Sequence, residues 1–385
     1  MNILMIHPHD IYSSLEPWTV RITSIAQEFV KKGHNVKLVY FPLPADERGK
    51  LRCKEFKEFE AIPFNRGKWS FVKNIIRMHK LAKDADIIHF QKCFAIASLP
   101  ALFAAYLRNK PIHYDWDDWE LKIYQFSPPS RIVGFYLNVM ETLMPRLVDT
   151  LSVSSENIKR LALERGAKED RIVEAHVCAD LKKFNPKIDG KEIKKKYGIN
   201  SPIVLYLGQL HGGQYAELLL RAVKIISAKK TNTVFMIVGS GADLSRLKGL
   251  AKDLEITDKV IFTGAVEYSL VPKYIAAADV AVACFEDNDL TRSKSPLKIV
   301  EYMASGKAIV ASDVGEVPIM LDGCGMLTEP GNVYSLANGI IRFLEDEKLR
   351  KECERKARKR AEKEYKWEVT ADNLLRAYEI AKNIR

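Results

Sequence analysis

The chain has 385 residues, and single cores stop growing at about 250–300, so two domains are expected. Hydrophobic residues make up 47% and charged residues 28%, with Gly 20 and Pro 16, a globular composition that excludes disordered and collagen-like chains. The net charge of +11 favours anionic partners, but residues 1–185 carry 28 basic and 22 acidic side chains (+6) and the rest 32 and 27 (+5). No concentrated basic stretch marks a nucleic-acid domain, so no nucleic acid is expected as partner.

The most apolar stretch, residues 93–107, is broken by Pro100 and is shorter than the about 18 residues of a membrane span. The start, MNILMIHPHD, lacks a basic leader and a cleavage site, and the six cysteines form no CxxC pair. A cytoplasmic protein without a zinc ribbon or disulfide framework is expected.

Residues 2–6 read as a buried strand, 19–32 as an amphipathic helix closed by Gly33, and 36–41 as the second strand. Residues 66–83 are expected to be helical, 87–90 a strand, 99–107 a helix with Pro100 in its first turn, and 112–114 a strand. The pattern restarts with strands at 203–207, 234–238, 260–263, 280–284 and 308–311. Helices are expected at 215–228, 244–254, 270–277, 297–305 and 335–345. Strands alternating with helices imply two doubly wound α/β units with parallel sheets. Polar residues 184–199 mark the connection, giving domains 1–185 and 186–366. Residues 348–363 form a charged helix with a solvated face, and 367–385 a last helix that packs on something.

The chemistry concentrates in SKSPLKIVEYMASGKAIVAS, residues 293–312. A loop opens there onto a helix N-terminus, whose unpaired N–H groups and partial positive charge suit a diphosphate. Lys294 and Lys298 add charge. Glu301 stands one turn in, where a carboxylate accepts two hydrogen bonds from a ribose diol; the plainer alternative is a favourable acid near a helix start.

This segment, with VLYLGQL at 204–210, FMIVGSG at 235–241, VIFTGAV at 260–266 and AADVAVAC at 277–284, resembles family 4 glycosyltransferases of the GT-B fold. RITSIAQEFVKKGHNVKLV at 21–39 and ADIIHF at 85–90 extend the resemblance into the first half. It implies two facing Rossmann-like domains, with the last helix crossing back to the first. The C-terminal domain would bind a nucleotide-diphosphate sugar, and the N-terminal domain a glycan or lipid-linked acceptor. Transfer would retain configuration, need no cofactor and use no metal. Glu301 matches the second glutamate of the family's E-x7-E motif, which binds the donor ribose. Leu297 and neighbouring amides, with Ser295, would face the diphosphate, Val266 the base, and Gly208 closes the strand leading to the donor loop.

Three departures stand out. Ser293 occupies the position of the first glutamate. Gln209 and Gln214 stand where relatives carry Arg and Lys, so Arg292, Lys294 or Lys298 would have to supply the charge. His7-Pro8-His9-Asp10 replaces the usual glycine pair after the first strand.

His7, His9 and Asp10 are expected at the acceptor side, with His9 a candidate proton shuttle. The alternative is a loop that happens to be polar. His89, in an internal strand, reads as structural. In the loop 115–120, DWDDWE, Asp117 takes the place of a histidine found in relatives and is expected to position or deprotonate the acceptor hydroxyl. Asp118 follows it, and Trp116 offers a stacking plane for a sugar. The D-x-D spacing also suggests a divalent metal, and acceptor binding is preferred. Helix 66–83, basic with Trp69, reads as a crossover helix or as an interfacial helix for peripheral contact with an acidic membrane face. Rival functions are a nucleotide-sugar epimerase of the same fold and a silent nucleotide- or glycan-binding relative.

Overall fold

The structure is a computed structural model, and it describes residues 1–13, 16–46, 55–125, 130–211, 215–229 and 232–385. The chain divides into two compact units. The first comprises Met1–Val177, Ser293–Ser295 and Trp367–Arg385, and the second Cys178–Arg292 and Pro296–Lys366.

The first unit holds strands β1 (Asn2–Ile6), β2 (Asn35–Tyr40), β3 (Glu60–Pro63), β4 (Ile87–Gln91), β5 (Ile112–Trp116), β6 (Thr150–Val153) and β7 (Ile172–Glu174). They form one parallel sheet in the order β3-β2-β1-β4-β5-β6-β7. The central strands β4, β5 and β6 are buried along their whole length, as a sheet covered on both faces requires, even though they carry polar residues such as His89, His113 and Asp115. The edge strand β3 was not anticipated: it is four residues long, half exposed and stopped by Pro63, so it lacks an apolar run.

The second unit holds β8 (Ile203–Leu207), β9 (Val234–Val238), β10 (Val260–Gly264), β11 (Val280–Ala283), β12 (Ala308–Ser312) and β13 (Met326–Thr328). These are also parallel, in the order β10-β9-β8-β11-β12-β13. Each unit buries its own core of Val, Ile, Leu, Ala and aromatic side chains between sheet and helices.

Three local expectations need correction. Helix Ala95–Arg108 begins before residue 99, which leaves Pro100 in its interior. A proline there forfeits a backbone hydrogen bond. Burial of Ala97, Ala101, Ala104 and Ala105 against the sheet holds the helix together nonetheless. Strand β5 runs on through Asp115 and Trp116, so only Asp117–Trp119 form the loop before helix Glu120–Gln125. Helix Phe71–Leu81 buries Asn74 and Met78 and leaves Val72 and Ile76 exposed, so its apolar residues are not confined to the packed face. The closing helix Trp367–Ile384 packs within the first unit on helix Val20–Lys31, β6 and β7.

Candidate active site

In open parallel sheets, ligands bind beyond the carboxyl ends of the strands, where the winding direction reverses. The first sheet reverses between β1 and β4 and the second between β8 and β11. Both places gather the polar residues picked out in the sequence.

At the first reversal, the His9 ring stands edge-on to Trp18 and Phe94, with centroids 5.3 and 5.6 Å away. Its Nδ1 lies 2.7 Å from Glu16 Oε1. Glu16 Oε2 accepts from the Asp10 amide at 2.5 Å and from Arg66 Nη2 at 2.7 Å. Burial lowers the His9 pKa more than Glu16 raises it. For Glu16, burial pushes the other way, but its bonds to His9, Asp10 and Arg66 hold the carboxyl below the usual range. The arrangement is a neutral imidazole beside a carboxylate, suited to orienting a hydroxyl.

His7 and Asp10 sit deeper than expected: both are fully buried. The Asp10 carboxylate accepts from the Tyr12 and Leu43 amides, each at 3.0 Å. It therefore braces the loop, and His7 lies buried beside His9, with ring centroids 5.3 Å apart.

The strongest cluster follows β4 and β5. Lys92, with φ +64°, is a left-handed non-glycine residue at the end of β4, a conformation that costs about 1–3 kcal/mol and concentrates at functional sites. Its ammonium is 3.5 Å from Asp117 Oδ1, 3.5 Å from Asp118 Oδ2 and hydrogen-bonded to Glu120. Gln91 Nε2 donates to Asp117 Oδ2 at 2.6 Å. Burial pushes the Asp117 carboxyl up to about 7, only partly offset by Lys92. Asp118 is more open, its side chain 29% exposed. Glu141 receives the amides of Glu120 and Leu121 at 2.8 and 3.2 Å, and burial raises it to about 8.

Asp115 and Trp116 belong to the interior instead. Arg21 grips Asp115 through Nε and Nη2, both at 2.8 Å, and also binds the carbonyls of Ala175 and His176. Trp116 is 1% exposed and stacked on Tyr114. A ring packed in the core cannot serve as the sugar platform expected of it. His89 is structural as expected: its Nδ1 lies 2.7 Å from the Tyr378 hydroxyl, and burial lowers its pKa to about 4.

At the second reversal, helix Leu297–Ala304 is buried from Lys298 onward. It is pinned by the Tyr302 hydroxyl, which accepts from the Leu207 amide at 2.9 Å. Glu301 is 3% exposed and accepts from the Tyr268 hydroxyl at 2.9 Å. Burial pushes its carboxyl up to about 7, against Tyr268 and Lys298. The Lys298 ammonium lies 4.2 Å from the Tyr206 ring centre and 5.7 Å from that of Phe285. Gly208 and Gly239 have φ of +150° and +144°. A Cβ on Gly208 would come within 2.9 Å of the Lys298 nitrogen, and one on Gly239 within 1.8 Å of the Gly208 carbonyl oxygen. Only glycines let these two strand ends close on each other and on the lysine.

The remaining candidates are less central. Half-buried Gln209 follows Gly208, and half-buried Val266 follows β10. Gln214 lies outside the described residues. Arg292 is about half exposed and paired with Asp287 through Nε at 2.6 Å and Nη2 at 2.9 Å, so its charge is already engaged. Ser293 and Ser295 are buried, and Ser293 is tied to the first unit, accepting from Ser155 at its carbonyl (3.0 Å) and from Asn157 at its hydroxyl (2.6 Å). Lys92, Glu16, Arg66 and Tyr268 went unassigned in the sequence reading. Only Lys92, a lysine directly beyond a buried strand, carries a local sign of its importance.

Residues 189–360 match the family described as glycosyl transferases group 1. An uncharacterized glycosyltransferase of Methanocaldococcus jannaschii is 24% identical over 92% of this chain and 86% of its own length. A GDP-mannose-dependent monoacylated alpha-(1-6)-phosphatidylinositol monomannoside mannosyltransferase of Corynebacterium glutamicum is 27% identical over 51% of this chain and 52% of its own. Among solved structures, Anabaena HepE in complex with UDP and glucose superposes with a TM-score of 0.78 at 17% identity, covering 98% of each chain. The two doubly wound units thus constitute a GT-B fold. The group 1 glycosyltransferase match covers residues 189–360, and the similarity to a glycosyltransferase along most of the chain points the same way.

Proposed function

We propose that the protein moves a sugar from a nucleotide-diphosphate donor to a hydroxyl of a glycan or lipid-linked acceptor, with retention of configuration and without a metal. The observation that carries this reading is Glu301, a buried carboxylate held by Tyr268 at the switch point of the second sheet. There it accepts the two ribose hydroxyls. Lys298 and the amides at the start of helix Leu297–Ala304 take up charge as the bond from the sugar's C1 to the diphosphate oxygen breaks and its electron pair stays on the diphosphate. The acceptor oxygen bonds to C1 on the face the diphosphate leaves. Asp117 takes the acceptor's proton, and His9, oriented by Glu16, aligns the hydroxyl.

Glu301→Ala is expected to weaken nucleotide binding by about 1.5–3 kcal/mol, the worth of hydrogen bonds to a charged group. Calorimetric titration with a nucleoside diphosphate measures it. Unchanged affinity in the folded variant would take Glu301 out of the site.

A lipid-linked acceptor is supported by the outer face of the first unit. Helices Phe71–Leu81, Ala95–Arg108 and Arg131–Leu147 expose Val72, Ile76, Phe103, Leu107, Ile132 and Phe135, with Trp69 90% exposed beside them. Lys73, Lys80 and Arg131 are exposed on the same helices. Apolar side chains interspersed with cations suit an anionic bilayer surface. Trp69→Glu is expected to reduce co-sedimentation with vesicles containing phosphatidylglycerol. Sedimentation equal to the wild type's would remove membrane contact through this face.

A further inference from the structure

We propose that Lys92 is a positioning residue, its ammonium serving as the resident cation of the carboxylates beyond β4 and β5 and holding Asp117 ready for the acceptor hydroxyl; this rests on the acceptor role proposed for Asp117. Asp117, Asp118 and Glu120 offer oxygens that lie within 4.8 Å of one another, close enough to share one metal ion. Three carboxylates at that spacing repel one another unless a cation stands among them. Here the cation is a side chain: Lys92 is 3% exposed and reaches all three groups.

The hydrogen bonding gives this a direction. Asp117 Oδ2 is taken by Gln91 at 2.6 Å. Oδ1 lies 3.5 Å from Lys92, near enough for attraction and too far for a normal hydrogen bond. Oδ1 is buried, and no hydrogen bond reaches it among the described residues. An acceptor hydroxyl donating to Oδ1 would complete the group. Lys92 and Gln91 therefore fix which oxygen faces the acceptor. A lysine built into the chain also keeps this arrangement independent of metal supply, whereas its loss would leave three close carboxylates that recruit a divalent ion.

The test compares wild type with Lys92→Met, which keeps length and removes charge. Mn²⁺ binding is followed by loss of the free-ion paramagnetic resonance signal, turnover is measured in chelator, and donor affinity by titration with a nucleoside diphosphate. Wild type is expected to take up no stoichiometric Mn²⁺, and Lys92→Met one ion per chain. In chelator, the variant's turnover is expected to fall about tenfold or more at unchanged donor affinity, part of what a well-placed base contributes. A purely structural lysine would instead lower donor affinity and turnover together, as folded protein is lost. If Lys92→Met does not fold, the double variant Lys92→Met/Glu120→Gln, which removes one negative charge with the positive one, takes its place. Wild-type turnover in the folded variant overturns the proposal. So does one Mn²⁺ bound by wild type and lost in Asp118→Asn. Unchanged turnover in Asp117→Asn would defeat the acceptor reading instead, while the Mn²⁺ titration would still identify the cation of the cluster.

Discussion

Asp117→Asn is expected to lower turnover by about 10²–10⁴-fold, the usual contribution of a general base, with donor nucleotide affinity close to wild type. The substitution keeps the size of the side chain and its place beside Gln91 and Lys92 while removing the charge and nearly all the basicity. Donor binding is assigned to Glu301 and Lys298 in the other unit, so the loss should fall on turnover alone. The pH dependence follows from burial, which raises the Asp117 carboxyl to about 7. A base must be ionised to accept a proton, so the wild-type rate should climb as pH rises through about 7 and level off above it. Asparagine should abolish that limb. Turnover equal to wild type would show that the side chain has no part in the chemistry. Activity abolished by chelator and restored by Mg²⁺ or Mn²⁺ would replace the proton-accepting role with a metal site.

Arg21→Met is expected to destabilise the first unit by about 3–5 kcal/mol, the cost of stranding one member of a buried ion pair. Arg21 and Asp115 are 4% and 0% exposed, and their carboxylate–guanidinium contact is bidentate. The same arginine satisfies the carbonyls of Ala175 and His176 after β7. Burial alone would raise the Asp115 carboxyl, but Arg21 overrides it and holds the group well below the usual range. A depressed folded-state pKa gives stability that is complete above the ordinary carboxylate range and drains away as pH falls below it. Urea unfolding of wild type and variant at neutral pH measures the loss. A difference below about 1 kcal/mol, the worth of an exposed pair, would show that the pair is solvated.

Five of the six strands of the second sheet were readable as apolar runs bounded by turn formers, whereas β13, three residues long and partly exposed, was not anticipated. IVLYL lies between Pro202 and Gly208, and VFMIV before Gly239; both ends matched the observed strands. Strand β5 was cut short in the reading because Asp115 breaks its apolar run. The partner that lets a carboxylate lie inside a strand is 94 residues away, and no local pattern reveals such a pairing. Trp116 was misplaced with it. The helix that carries Lys298 and Glu301 was legible because it opens behind a recognisable loop. The cluster proposed to meet the acceptor was only partly so: Asp117 stands out in DWDDWE, but Lys92, 25 positions earlier (117 − 92), joins it only once β4 and β5 pair. His7 and Asp10 show the converse limit, since a polar loop near a strand end spends much of its polarity on its own backbone.

The closing helix has a consequence for how the molecule is made. It completes the first unit through Thr370 to His176, Tyr378 to His89 and Arg385 to Asp149. Between Val177 and Trp367 lie 189 residues (366 − 177), nearly all of them the second unit. Ribosomes add about 5–20 residues per second, so the first sheet waits about 10–40 s for its last covering element. During that interval the groove that will receive Leu374, Tyr378 and Ala381 is open to water and to other nascent chains. All residues of the second unit leave the ribosome before that helix does. The first unit, begun earliest, is therefore the one whose core stays incomplete until the end of translation.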